Sequence, residues 1–222
     1  MNFVISIVKP DAASKVIEIC ESLGLPMSVM LMGHGTAVRS MLDLLGIESN
    51  EKRVIVTVAS VEKTKELIQQ QKRKLFIGVP GHGMVVSVPV KSIGGGKTVA
   101  FLNGDQKNAK YTPQLNFSYE LIVAIANEGR TDMVMNAARA AGARGGTVLH
   151  GKGTGNPEAE KFLNVSIAQE KEVILIVART EQKSEIMRSI IQKAGPSTEA
   201  GTIVFSLPTD EVAGFGILDA DS

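Results

Sequence analysis

Met32-Gly33-His34-Gly35-Thr36 and His150-Gly151-Lys152-Gly153-Thr154 are two copies of one short motif, and they decide how the chain is organised. Sliding the sequence against itself by the offset of 118 residues between the motifs also aligns Gly24 with Gly142, and residues 3–36 align without a gap. Each copy of an internal repeat must be one folding unit. The sequence therefore predicts two similar domains in tandem.

The apolar pattern runs in the same order in both halves. In the first half it predicts strands at 3–8, 28–32, 53–59 and 84–90 and helices at about 11–23 and 62–75. In the second half it predicts strands at 121–126, 146–149, 173–178 and 202–207 and helices at 131–141 and 183–193. A short helix at 38–45 and a strand at 98–102 are predicted in addition.

This βαββαβ order is typical of the ferredoxin-like fold of the α+β class, an antiparallel sheet with helices on one face. We predict one such domain over residues 1–95 and a second over 119–222, with a linker at 96–118. The sheet face without helices is apolar, as in the strand at 28–32. Because a bare apolar face of that size is unusual for a monomer, association into a homo-oligomer is expected.

Composition excludes several classes of function. The 222 residues are 44% hydrophobic, contain no Trp and carry a net charge of +1, which argues against nucleic-acid binding. The apolar run 3–8 is too short for membrane insertion or a signal peptide. Cys20 is the single cysteine, so no intrachain disulfide can form, and a reducing, cytoplasmic location is expected.

The repeated glycine motifs are the first candidate binding site. Glycines let backbone N–H groups approach an anion closely, threonine adds a hydroxyl and lysine adds a positive charge. The residues predicted to bind a small anionic ligand are Gly151, Lys152, Gly153 and Thr154, with Gly33, Gly35 and Thr36 second. The alternative is that these glycines only form a tight turn out of the second strand, and spacing leaves both interpretations open.

A second glycine loop precedes the last strand of each half, at residues 78–83 and 195–201. Gly81, Gly83 and Gly201 are candidate ligand residues there, and the alternative is an ordinary turn after a helix.

Other motifs give weaker evidence of a function. Gly94-Gly95-Gly96-Lys97-Thr98 looks like a P-loop, but Lys91 occupies the position of its first glycine. His34, His82 and His150 have no second ligand at metal-binding spacing, so no metal site is predicted. No catalytic arrangement is found, and the protein is predicted not to be an enzyme.

The pattern resembles the PII nitrogen-regulatory family, present twice. The stretch Ala143-Arg144-Gly145-Gly146-Thr147-Val148-Leu149-His150-Gly151-Lys152-Gly153-Thr154-Gly155 is similar to the second strand of that family and the start of its regulatory T-loop. By this resemblance Gly35 and Gly153 match T-loop glycines, Gly81 and Gly83 match the glycines of the B-loop, and Gly201 is a weaker match.

The resemblance implies a trimeric, non-enzymatic sensor that binds ATP or ADP in clefts between domains and regulates a partner protein. Two departures weaken the expected binding of a triphosphate. The arginine of the T-loop is Thr36 or Thr154 here, and the lysine of the B-loop is Met84 or Thr202. The long T-loop with its modifiable tyrosine is absent, so uridylylation is not expected.

We therefore predict a PII-like signalling protein with a small anionic effector, of which an adenine nucleotide is one candidate. The alternatives are a structural PII-like module without a ligand and a metal-responsive protein of the cation-tolerance type.

Overall fold

The computed structural model describes residues 1–25, 28–36, 50–79, 81–90, 116–152, 161–162, 165–166 and 170–214. The predicted helix at 38–45 and strand at 98–102 lie outside these residues. Eleven strands and four α-helices are described. In chain order they are β1 (Asn2–Val8), α1 (Ala13–Ser22), β2 (Ser28–Gly35), β3 (Glu51–Ala59), α2 (Val61–Leu75), β4 (Met84–Pro89), β5 (Asn116–Asn127), α3 (Thr131–Ala140), β6 (Thr147–Lys152), β7 (Lys161–Phe162), β8 (Val165–Ser166), β9 (Glu170–Arg179), α4 (Thr180–Ala194), β10 (Ile203–Thr209) and β11 (Glu211–Ala213).

The chain divides into two compact units. Unit 1 consists of Met1–Met32, Glu51–Tyr119 and Pro208–Ser222, and unit 2 consists of Gly33–Asn50 and Glu120–Leu207. The division falls inside β2, β5 and β10. The domain boundaries derived from the sequence, 1–95 and 119–222 with a linker at 96–118, stay a prediction.

Unit 1 is an antiparallel sheet with helices packed on it. Its strand order is β2-β3-β1-β4-β11, and β1 pairs antiparallel with both β3 and β4. The buried face of α1 (Val16, Ile19 and Cys20) joins Leu67 and Ile68 of α2 in one core with the strands. Ser60 caps α2, since its Oγ accepts a hydrogen bond of 3.3 Å from the backbone N–H of Lys63. Apolar periodicity explains why both segments are helices, and the Ser60 cap explains where α2 begins.

Unit 2 repeats the arrangement, with strand order β10-β5-β9-β6-β2. β6 pairs antiparallel with β9 on one side and with the end of β2 on the other. α3 and α4 cover a core of fully buried aliphatic side chains, which include Ile122, Val134, Met135, Ile174, Ile176, Ile186 and Ile190. In unit 1 the neighbouring strands are β4-β1-β3-β2, and in unit 2 they are β10-β5-β9-β6. Both rows have the same order, with the last strand of the βαββαβ series beside the first, then the third and then the second.

Residues 29–32 of β2 expose apolar side chains in unit 1. Val29, Met30, Leu31 and Met32 are 54%, 49%, 39% and 74% exposed. Because successive strand residues point to opposite faces, Val29 and Leu31 lie on one face and Met30 and Met32 on the other, so this strand exposes apolar side chains on both faces. Exposed apolar groups of this kind are typical of an interaction surface. Association of copies through such a face stays a prediction.

Cys20 provides a test of the unit 1 core. Burial raises the pKa of the Cys20 thiol, and Glu21 adds to the effect, while a hydrogen bond from Ser28 opposes it. Because only the thiolate is nucleophilic, a raised pKa leaves less reactive thiol at pH 8. We expect iodoacetamide to alkylate Cys20 much more slowly in the native protein than in urea, as followed by mass spectrometry. Equal rates in the two conditions would contradict the packing of α1.

Candidate functional site

Residues of the two glycine motifs meet on neighbouring strands of unit 2. β2 and the start of β6 pair antiparallel, with Gly33 opposite Leu149. Gly151 and Lys152 follow Leu149 at the end of β6. The remaining predicted residues of the second motif, Gly153 and Thr154, lie outside the described residues, as does the P-loop-like stretch at 94–98.

The alternative interpretation of residues 33–36 as a tight turn is wrong. Residues 33–35 continue β2 as extended strand. The reason is a ladder of backbone hydrogen bonds that continues on both sides: the Gly35 N–H donates to the carbonyl of Asn50 at 2.7 Å, and the Thr36 N–H donates to that of Gly146 at 3.0 Å. Gly151 and Lys152 are likewise strand residues of β6. Strand pairing, which a local pattern does not contain, decides the conformation here.

The two strand glycines have different surroundings. A Cβ atom added to Gly33 would lie 2.5 Å from the carbonyl oxygen of Val148 and 2.9 Å from a methyl carbon of Leu149. A Cβ added to Gly151 would meet nothing within 4 Å. Close strand packing therefore explains the glycine at 33, whereas no contact within the described residues requires the glycine at 151.

The hydroxyl of Thr36 is used by the sheet. Its Oγ donates to the carbonyl of Gly146 at 3.1 Å and accepts from the Gly146 N–H at 2.8 Å. Arg139 of α3 donates through Nη2 to the backbone carbonyl of Thr36. Arg139 thus brings a cation to the end of β2, a residue that the sequence analysis did not single out because it lies on a helix far away in the chain.

Lys152 lies at the exposed end of β6. Its Nζ is 3.1 Å from Oε1 of Glu170, and the two side chains are 67% and 43% exposed. An ion pair this exposed is worth only about 0–1 kcal/mol. An anion in solution can therefore compete for the lysine at little cost.

Two histidines of unit 2 are in contact. His34 on β2 and His150 on β6 have ring centroids 5.0 Å apart and planes inclined by 27°. Nδ1 of His34 lies 3.3 Å from Nε2 of His150. This pair leaves no local signal in the sequence, because pairing of β2 with β6 joins residues that are 116 positions apart.

A buried carboxylate stands beside the histidines. Glu172 of β9 is directly opposite His150 in the strand register and only 5% exposed. Its Oε1 lies 4.0 Å from Nδ1 of His150. Its Oε2 accepts hydrogen bonds from the N–H and the hydroxyl of Thr131, at 3.0 and 2.7 Å. Because Thr131 begins α3, the carboxylate is also favoured by the positive end of the helix dipole.

The predicted second glycine loop of the first half lies in unit 1. Gly81 and Gly83 have φ angles of +87° and +127°, values that favour glycine. A Cβ on Gly83 would lie 2.6 Å from the carbonyl oxygen of Ile7, so that glycine is required by the end of β1, while Gly81 faces open space.

Positively charged side chains lie at the same end of β1. Val8 pairs with Arg53 at the start of β3. Burial lowers the pKa of the neighbouring Lys52 amine, and the positive charge of Lys9 lowers it further. Two ammonium groups close enough to repel each other make this a region where a bound anion would be stabilised.

Gly201 ends the corresponding loop of unit 2, with a φ angle of +55°. The Asn127 side chain lies against it and donates to the carbonyl of Glu199 at 2.9 Å. Lys171 in turn donates to Oδ1 of Asn127 at 2.5 Å. Gly201 therefore belongs to a hydrogen-bonded loop and lies on a different strand connection from Gly151.

Other kinds of site are not found in the described part of the chain. It contains no group of three or more histidine, cysteine, aspartate or glutamate residues arranged to hold a metal ion. Within the same residues, no helix is long and apolar enough to cross a membrane.

Comparisons with known proteins point to one family. The model of the family described as nitrogen regulatory protein P-II matches residues 119–215, which is less than half of the chain. Among solved structures, the PII protein of Arabidopsis thaliana bound to citrate is similar at 24% identity and a TM-score of 0.31, over 41% of this chain and 74% of that one. No curated protein shows significant similarity. The segment 119–215 thus carries the sequence pattern of the nitrogen regulatory protein P-II family.

Proposed function

We propose that the chain is a non-enzymatic regulatory protein built from two tandem ferredoxin-like domains of the P-II type. The observation that carries the proposal is the match of residues 119–215 to the P-II family. For the first half, support comes from the sheet of unit 1, in which β3, β1 and β4 are neighbours just as β9, β5 and β10 are in unit 2. P-II proteins are in general signalling proteins without enzymatic activity.

The proposed effector is a small anion that binds unit 2 at the end of β6. The space beside the Cα of Gly151 is open, since an added Cβ would meet nothing within 4 Å, and Lys152 offers a positive charge with only a weak intramolecular partner. Gly153 and Thr154, which lie outside the described residues, are included in the proposal from the sequence motif alone. Gly33 and Gly35 lie on the neighbouring strand β2, and Thr36 follows them. A phosphate or a carboxylate has the chemistry that such donors recognise.

Unit 1 supplies a second proposed anion site by itself. Gly81 and Gly83 present a loop of positive-φ residues at the end of β1, and Lys9 and Lys52 add charge. An anion there would favour the charged form of Lys52, whose pKa burial lowers. An adenine nucleotide is a candidate because it combines an anionic phosphate chain with an apolar base.

A structural module that has lost its ligand is the second candidate. It is favoured by Gly33 and Thr36, since strand packing and hydrogen bonding to Gly146 account for both residues. In either case the apolar residues 29–32 are the proposed surface for a second copy or for a regulated partner protein. The single buried Cys20 suits the reducing conditions of the cytoplasm.

A thermal-shift screen separates these candidates. The full chain is melted in metal-free buffer with adenine nucleotides, cyclic dinucleotides, 2-oxoglutarate or bicarbonate. A ligand that binds only the folded state stabilises it by about 2.7 kcal/mol at 100 times its Kd, and the melting temperature rises accordingly. A rise in melting temperature with one anion supports the proposed sensor function. An unchanged melting temperature with all of them supports the structural module without a ligand.

Lys152→Ala tests the site. We expect it to reduce the shift caused by the active anion, because it removes the charge at the end of β6, while the melting temperature without ligand stays nearly unchanged. Lys193→Ala is the matched control, since it removes an exposed lysine from the last turn of α4 in the same unit. An anion response that survives Lys152→Ala intact would remove Lys152 from the site.

A further inference from the structure

Three strands of unit 2 place His34, His150 and Glu172 on one face of the sheet. His34 is directly opposite Val148, and His150 is two residues further along β6, so its side chain leaves the sheet on the same side as that of Val148. Glu172 is directly opposite His150 on β9. The pairing register therefore fixes all three side chains as neighbours, although the sequence separates them widely.

The distance between the imidazole nitrogens matches the separation of two nitrogens bound to one zinc ion. Nδ1 of His34 and Nε2 of His150 are 3.3 Å apart. Two nitrogens bound tetrahedrally to zinc at about 2.0–2.1 Å lie roughly 3.3–3.4 Å from each other. The pair is thus already spaced for one metal ion, and binding would replace a contact between two nitrogens by two metal–nitrogen bonds.

We infer that His34 and His150 form a binding site for a divalent transition-metal ion such as Zn²⁺, with Glu172 as the positioning residue for His150. The ion takes Nδ1 of His34 and Nε2 of His150 as its two protein ligands. Imidazole ligands suit zinc, copper and nickel, whereas Mg²⁺ and Ca²⁺ prefer oxygen.

Glu172 places a negative charge near His150, at a separation longer than a hydrogen bond. Its Oε1 faces Nδ1 of His150, the nitrogen that does not take the metal, at 4.0 Å. A carboxylate on that side favours the proton on Nδ1 and leaves the Nε2 lone pair free for the ion. The two hydrogen bonds from Thr131 hold this carboxylate in place.

The site is open to solvent. The side chain of His150 is 53% exposed, so an ion can enter without unfolding the sheet. The described residues include no group of three metal-binding side chains, so the protein supplies two nitrogens. Water or a small donor molecule then completes the coordination of the ion. The site shares no side chain with the proposed anion site, although His34 and His150 are direct sequence neighbours of its glycines.

A zinc titration of the metal-free full chain tests the inference. Binding is measured by competition with a chromophoric chelator for the parent protein and for His34→Gln, His150→Gln and His82→Gln. His82 is the matched control, because it is the remaining histidine and lies in unit 1. We expect each of the first two variants to weaken zinc binding by about tenfold or more, since one nitrogen alone is a poor site, and His82→Gln to have no effect.

The result that overturns the inference is zinc binding that is undetectable in the parent chain, equal in all variants, or lost with His82→Gln. The melting temperature of each metal-free variant is measured as well, so that a loss of binding is read only from folded protein. The anion screen in metal-free buffer is scored separately, and failure of one experiment leaves the other standing.

Glu172→Gln tests the positioning role. The glutamine keeps the shape and an oxygen for Thr131 but removes the negative charge beside His150. We expect zinc affinity to fall, because the variant removes a negative charge that lies 4.0 Å from Nδ1 of a proposed metal ligand. Unchanged affinity in a folded variant would show that Glu172 serves only the start of α3.

Discussion

Replacing Gly33 with alanine is expected to destabilise unit 2 by about 1–3 kcal/mol, the usual cost of forcing an extra carbon into close packing. The new Cβ would lie 2.5 Å from the carbonyl oxygen of Val148, and backbone atoms cannot rotate away as a side chain can. Either β2 or β6 must shift. Because His34 follows immediately, the same shift should separate the two imidazoles and weaken zinc binding.

Gly151→Ala is the matched control on the neighbouring strand. Its Cβ meets nothing within 4 Å, and alanine is no worse than glycine inside a strand. We expect its stability to equal or slightly exceed that of the parent chain, while binding of the anionic effector becomes weaker because the backbone is less accessible. Urea unfolding followed by circular dichroism measures both variants. Equal midpoints for Gly33→Ala and Gly151→Ala would contradict the close approach of β2 to β6.

Replacing Ile174 with alanine is expected to cost about 2–5 kcal/mol, the range for truncating a fully buried aliphatic side chain. Ile174 is 0% exposed, lies on β9 and packs in the core beneath α3 and α4. Its strand partner Val148 is equally buried, so no water can fill the space that the side chain leaves. The free energy of unfolding should fall by a large share of a typical domain's total.

Ile203→Ala provides the control for that experiment. Ile203 has the same side chain but is 62% exposed on β10. We expect its effect to stay within about 0.5 kcal/mol, as for other surface substitutions. Unfolding of both variants in urea is followed by circular dichroism in the far and near ultraviolet. A loss for Ile203→Ala as large as that for Ile174→Ala would mean that β10 is covered, as by a second copy of the chain.

Much of the fold follows from local sequence. Apolar runs predicted β1, β3, β4, β5, β9 and β10, with ends that differ by a few residues. Gly24 and Gly142 directly follow the helices predicted at about 11–23 and 131–141, and both have the positive φ angles that are common just past a helix end. These features depend on near neighbours in the chain, on side-chain periodicity and on the conformational freedom of glycine, which is why a single sequence contains them.

The candidate site depends on contacts that a single sequence does not contain. The motif at 33–36 looks like a turn locally, yet pairing with β6 makes it strand. His34 and His150 have no ligand spacing in the sequence and meet only through the register of two strands. Arg139 and Glu172 are likewise brought in from a helix and a third strand. Register is a property of the assembled sheet, so these partners could not be predicted.

The apolar residues at the start of β2 include two thioethers, Met30 and Met32, and Met32 is 74% exposed. Peroxide reaches such side chains easily and converts them to sulfoxides, which are polar and can be reduced again enzymatically. Oxidation would therefore make the apolar surface of this strand polar without disturbing the core of unit 1. Any complex that covers this strand should dissociate under oxidative stress and form again once the sulfoxides are repaired.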